Sequence, residues 1–263
     1  MPKKRTIPKS APPVPVRKAP IPAMSQTPQK PWPRPVLGIP LERAISHADK
    51  VFYDFLAIVQ QGFPVIAASY GRTDVVRNKF ALHTLSADVT HLVMLDLDHK
   101  HPWDIVQRFM NWFIQDPSLR VIGGLNFRRG EPYDPCAYIK GDSGKYHPIA
   151  AWEPGLNKVD IVGTGAIAID RRVFEQIEPP WFAFDYSRVL DDNWPGEDFW
   201  FCQRCTEAGI DIFVDTTLTS PHLIDAVVDA NTFREYQAEH NMGVISIDQV
   251  VSPKKEQTDE PDA

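Results

Sequence analysis

HLVMLDLDH, residues 91–99, passes from a mostly aliphatic run directly into acid. So short and apolar a stretch reads as a buried strand over 91–95, with Asp96 and Asp98 at its carboxyl end. Working outward, VLGIP (36–40) and PVIAAS (64–69) read as two earlier strands, and LRVIGGLNF (119–127), VDIVGTGAIAID (159–170) and IDIFVD (210–215) as later ones. Between them, residues 46–61 carry Val51, Phe52, Phe55, Leu56 and Val59 at helical spacing, with Gly62 as a stop. Residues 73–86 form a second helix with Thr73 as its N-cap, and a third starts near Pro102 and runs through IVQRFMNWFI. RRVFEQI is a short helix, 198–208 a longer one closed by Gly209, and 231–240 a last short one. Residues 128–158 read as a long polar loop, of the kind that is usually functional or mobile. Strands alternating with helices imply an α/β fold: a mostly parallel sheet, helices on both faces and right-handed crossovers.

The composition agrees with a folded body flanked by tails. The chain has 263 residues, 43% of them apolar and 24% charged, which is enough for one sizeable core. Its net charge of −6 averages two unlike parts. Residues 1–34 hold 8 of the 28 Lys and Arg, no acid and 10 of the 25 prolines, leaving the remainder at −14. The expected division is a disordered basic, Pro-rich tail over 1–34, a folded domain over 35–252 and a second disordered tail over 253–263. The basic tail reads as a solvated tether or as an anchor for nucleic acid or another anionic partner. No apolar h-region follows the first charges, and no run of 18 apolar residues occurs, so neither a secretory signal nor a transmembrane segment is expected. Three cysteines fit a reducing compartment, and a cytoplasmic location is expected. Cys202 and Cys205 form a CxxC without a second pair, which reads as structural core ahead of metal or redox use.

In an open α/β sheet the ligand crevice lies beyond the carboxyl ends of the strands. Residues two apart in an extended chain point the same way, so Asp96 and Asp98 can converge on one divalent cation, Mg²⁺ or Mn²⁺, that bridges to a diphosphate. A solvated strand end is the alternative. Glu197 and Asp198, in WPGEDFW, enter a helix from a glycine-containing loop; they serve as helix-capping acids or present a general base, and the two roles are compatible. His222 follows a strand in TTLTSPHL.

Taken together, the strand running into DLDH, then VGTGAIAIDRRVFEQI, then GEDFWFCQRCTEAGIDIFVDTTLTSPHL, resembles the family 2-like glycosyltransferases of the GT-A fold, including the group found in bacteriophage and bacterial genomes. The likeness runs from about Pro35 to Leu223. It implies a metal-dependent transfer from a UDP- or GDP-sugar to an acceptor hydroxyl, in the cytoplasm of a bacterium or phage-infected host. By this resemblance Asp96, Asp98 and His222 hold Mn²⁺ or Mg²⁺, Asp198 with Glu197 supplies the general base, and Arg77 and Asn78 approach the donor. Pro40 would wall the nucleobase pocket, and Gly163, Thr164 and Gly165 would line the sugar pocket. Trp181 and Trp194 lie in an aromatic, Pro-rich segment that borders the acceptor side or packs as a local core. The motif reads DLDH, with His99 beside or within the metal shell. The acceptor is open among protein, lipid, glycan and modified nucleic-acid base. Two other readings are a nucleotidyltransferase acting on sugar phosphates, against which GIPLERA lacks a Gly-rich basic loop, and a non-catalytic interaction protein of the same fold.

Overall fold

In the computed structural model of the chain, residues 32–41, 48–69, 71–188, 196–224 and 227–240 are described. The elements that build the main sheet begin with β1 (Pro35–Leu41), α1 (Ala48–Val59), β2 (Val65–Ser69), α2 (Thr73–Ser86), β3 (His91–Leu95), α3 (Ile105–Gln115) and β4 (Val121–Leu125). Then come β5 (Ala137–Lys140), β6 (Tyr146–Pro148), β7 (Leu156–Val159), β8 (Ile161–Val162), β9 (Ala166–Asp170) and α4 (Arg171–Gln176). The chain closes with α5 (Glu197–Glu207), β10 (Ile212–Thr219), β11 (His222–Leu223), β12 (Val227–Val228) and α6 (Ala230–Glu239).

Seven strands form the central sheet in the order β2-β1-β3-β9-β4-β10-β7. Neighbours β2, β1 and β3 are parallel, as are β4 and β10, while β9 runs antiparallel between β3 and β4 and β7 antiparallel to β10. Alternation along each strand feeds two cores. Leu92 and Met94 of β3, with Ile167 and Ile169 of β9, pack on one face with Phe80 of α2, Phe174 of α4 and Phe201 of α5. Val93 and Leu95, with Ala166 and Ala168, pack on the other with Phe55 and Ile58 of α1 and Phe109 and Phe113 of α3. A strand with both faces covered is apolar on both, which is why Leu92 to Leu95 show no polar alternation after His91. Close packing also leaves one position no side chain: a Cβ on Gly123 would lie 2.1 Å from Val162 Cγ2.

Residues 128–158 are not a loop throughout. They contain β5 and β6, which with β8 make a three-stranded sheet, and the start of β7. The turn Gly141–Lys145, with Gly144 at φ 78°, closes the β5–β6 hairpin, so two of the glycines that suggested a loop belong to one tight turn. The segment 159–170 is likewise three strands and not one. It pairs with β10, steps to the small sheet at β8, and returns to the central sheet at β9. Strand β10 continues to Thr219, past the acid at Asp215. Arg72 and not Thr73 occupies the cap of α2.

The basic segment does not end at residue 34 as a free tail. Arg34 donates to Thr90 Oγ1 and to the Asp88 carboxylate, and the Trp32 ring stands edge-on to His91. Residues 1–31 and 241–263 lie outside the described residues. Cys202 and Cys205 are buried within α5, and burial pushes both thiols up, as core thiols should be. Among the described residues no helix is long and apolar enough to cross a membrane.

Candidate functional site

Strand β3 delivers Asp96 and Asp98 to the carboxyl edge of the sheet, but the chain turns immediately after Leu95. Asp96 N donates to Gly165 O at 2.9 Å, one rung beyond the β3–β9 ladder. The turn then pairs with a segment more than a hundred residues later. Lys100 N donates to Pro221 O at 2.8 Å, Leu223 N to Asp98 O at 2.7 Å, and His99 bridges to His222. His101, buried beneath, holds Asp96 O through Nε2 and Ser220 Oγ through Nδ1.

This pairing brings His222 Nε2 to 3.4 Å from Asp98 Oδ2. Arg129 Nε lies 2.6 Å from the same Nε2, and a guanidinium can only donate, so Nε2 is the acceptor and Nδ1–H donates to Phe127 O at 2.9 Å. A backbone carbonyl that fixes the tautomer and aims the other nitrogen is how metal-binding imidazoles are held. Burial lowers the His222 pKa, the Phe127 bond opposes that, and the Arg129 charge adds to the lowering. His99 stacks on His222 with centroids 4.0 Å apart and its Nδ1 lies 2.8 Å from Asp98 Oδ1. Burial first, and then the neighbouring His222, pull the His99 pKa down to about 3, so the ring is neutral and donates to the carboxylate.

The ligand atoms of Asp98, His99 and His222 all lie within 4.8 Å of one another. A positive group already fits there: the Arg129 guanidinium spans Asp98 Oδ2 and His222 Nε2. The residues therefore fit a divalent cation, and mixed imidazole and carboxylate donors suit Mn²⁺ better than Mg²⁺.

Asp96 goes elsewhere. Both of its oxygens accept from Arg77 Nη2, at 3.1 and 3.0 Å. The two carboxylates do not share one direction, because the same-side rule holds only while the chain stays extended. Arg77 is 2% exposed; from α2 it also reaches Glu197 Oε1 at 3.1 Å and Thr164 O at 3.4 Å. Burial alone would lower its pKa, but the charges of Asp96 and Glu197 outweigh that and raise it. Arg77 is thus a buried counter-ion that ties the end of β3 to the start of α5.

Glu197 and Asp198 occupy the first turn of α5, where their charge suits the helix dipole. Gly196 precedes them, and a Cβ there would lie 2.6 Å from Asp198 Oδ1, so the glycine leaves the carboxyl its position. Burial first, then the Glu197 charge, push the half-buried Asp198 up to about 7, against a 2.8 Å bond from Phe199 N and the charge of Arg77. At that value the carboxyl exchanges protons near neutral pH.

Other sequence candidates take structural places. Asn78 donates to Phe182 O at 2.6 Å and accepts from Trp181 N at 3.0 Å, clamping the segment after α4. Trp181 is 3% exposed, edge-on to Phe174, with Nε1 on Ile177 O, so its ring faces the core and not an acceptor. Trp194 lies outside the described residues. Pro40 is buried within β1, paired opposite Ala68. Gly163, Thr164 and Gly165 link β8 to β9, and Gly165 leaves room for His99, whose Cε1 would lie 2.7 Å from a Cβ. Sequence reasoning missed Arg129 and Asn126. Asn126 is 3% exposed at the end of β4, its Oδ1 unpartnered, its Nδ2 3.0 Å from where a Gly165 Cβ would stand. The visible signal was NFRRG directly after a buried strand.

No protein-family model matches the chain, and the search of curated proteins found no match. Among solved structures it is similar to A197 from STIV, with 20% identity and a TM-score of 0.53 over 73% of this chain and 86% of that one. Weaker likenesses link it to CMP:2-keto-3-deoxy-manno-octonic acid synthetase complexed with CTP (12% identity, TM-score 0.39, 80% and 99% covered) and to GalNAc-T7 with UDP, GalNAc and Mn²⁺ (10%, 0.46, 78% and 47%). At such identities only the A197 likeness bears on this chain, and it concerns the fold alone. The mixed α/β architecture expected from the sequence, a mostly parallel central sheet with helices on both faces, is the fold of this protein.

Proposed function

We propose that this protein is a metal-dependent glycosyltransferase of the GT-A type, moving a sugar from a UDP- or GDP-sugar to an acceptor hydroxyl. One observation carries the reading. At the carboxyl edge of the sheet, a cation-competent Asp98–His222 pair and a carboxyl poised at about 7, Asp198, are joined through the Asp96–Arg77–Glu197 bridge, whose arginine is buried.

Asp98 and His222, with His99 against them, would hold the divalent ion. That ion, when bound, supplies positive charge against a diphosphate leaving group. Asp198 takes the proton of the attacking hydroxyl, and a pKa near the working pH is what a general base needs. Arg77 pairs with both Asp96 and Glu197 and so fixes the α5 start against β3, presenting the base on a rigid element. The basic segment 1–34 is compatible with a nucleic-acid acceptor, and a glycan acceptor fits the same chemistry.

The test is a thermal-shift panel of nucleotide-sugars with and without Mn²⁺, followed by hydrolysis assays on whichever donors bind. A UDP- or GDP-sugar should stabilise the protein only with the metal and be slowly hydrolysed, and Asp98→Ala should abolish both effects. If no nucleotide-sugar binds or turns over with any divalent ion, the reading fails.

A further inference from the structure

The loop after β4 places a fixed positive charge where a metal ion would sit. Arg129 donates through Nε to His222 Nε2 and through Nη2 to Asp98 Oδ2, the two atoms best placed to bind a cation. Its environment differs from that of Arg77. The Arg129 side chain is 56% exposed and the Arg77 side chain 3%, so one can leave into solvent and the other cannot. The loop's base is pinned: Cys136 N donates to Asn126 O, Arg128 N to Asp134 O, and the rings of Phe127 and Tyr133 pack on Phe233 and Tyr236 of α6. Release of Arg129 therefore needs only side-chain rotation.

Charge explains why a counter-ion belongs there. Asp96 and Glu197 flank the single charge of Arg77, so Asp98 would stand uncompensated beside an already acidic cluster without Arg129.

We propose that Arg129 is a displaceable counter-ion of the metal site: it closes on Asp98 and His222 when the site is metal-free, and a divalent ion must expel it to bind. This rests on the reading of Asp98 and His222 as metal ligands. Arg129 then sets how tightly the metal is held, because every binding event breaks its ion pair. Removing it strengthens metal binding, the opposite of what removing an ordinary supporting residue does.

The experiment titrates Mn²⁺ alone into the full chain and follows the free-ion electron paramagnetic resonance signal, with circular dichroism confirming the fold of each variant. Arg129→Ala and Arg129→Gln, which keeps a polar side chain without the charge, should each tighten Mn²⁺ binding by about tenfold. Asp98→Ala should abolish that binding in either background. If wild type binds Mn²⁺ through Asp98 and both Arg129 variants bind it equally or more weakly, the counter-ion role is overturned while the metal reading stands. If neither wild type nor the Arg129 variants bind Mn²⁺ at millimolar concentration, both readings fall.

Discussion

Asp198 enters the first turn of α5 with its carboxyl pushed up to about 7 by burial and by Glu197. As a general base it must be ionised, so transfer should rise with pH through about 7 and level off above. Asp198→Asn should lower turnover about a hundredfold or more while leaving Mn²⁺ affinity unchanged, checked by initial rates beside a metal titration. Stability runs the other way. A carboxyl raised in the fold costs stability as pH climbs from about 4, its unfolded value, to about 7. Urea midpoints should therefore show the Asn variant gaining on wild type at pH 8 and not at pH 4. Arg77 makes the complementary case. Arg77→Met leaves Asp96 and Glu197 without their cation, and because those partners keep some solvent the expected loss is about 2–4 kcal/mol, read from urea unfolding.

Individual elements matter here through how closely they approach one another. The link between β8 and β9 passes against the 96–101 turn, and Gly165 is the contact point. Gly165→Ala would place a methyl 2.7 Å from His99 Cε1 and 2.9 Å from its Nε2, displacing the ring that donates to Asp98. The expected outcome is weaker Mn²⁺ binding with a stability loss of about 1–3 kcal/mol, which calorimetric titration and thermal unfolding would separate. Gly123→Ala, where β4 meets Val162, is the control within the same sheet: it should cost stability at least as heavily through overpacking. Its metal affinity should be unchanged when measured well below the melting temperature.

For the whole molecule, both faces of the sheet are buried, and polar groups at its edges are buried with them. His91, 0% exposed at the start of β3, is pulled down to about 4 by burial, the nearby Asp170 charge notwithstanding. A histidine depressed in the fold gives stability that is present above its unfolded value of about 6.5 and lost as pH falls toward 4. Urea stability should fall by about 1.4 kcal/mol per pH unit for such a group across that window, and His91→Asn should flatten the slope by roughly that amount. Deleting residues 1–31, ahead of the Trp32 and Arg34 contacts, should leave donor binding in the thermal-shift panel unchanged.

Much of the sheet was legible because local rules suffice for it. An apolar run of strand length between helical patterns can be buried in few ways, so 91–95 and 73–86 appear in the structure at the expected bounds. The hairpin strands β5 and β6 were not legible, since strands of three or four residues have too little periodicity to stand out from a loop, and the short β8 was hidden within the longer run 159–170. At the site, the residue types were legible and their partners were not. Hydrophobic pattern is local, so the acids, a histidine and small residues near the ends of apolar strands could be read from the chain as one edge of an α/β sheet. Only the tertiary structure decided that Asp96 belongs to Arg77 and that Asp98 belongs to His222, His99 and Arg129. The Asp98–His222 pairing joins residues more than a hundred apart and depends on where the chain turns after β3, which no local pattern encodes.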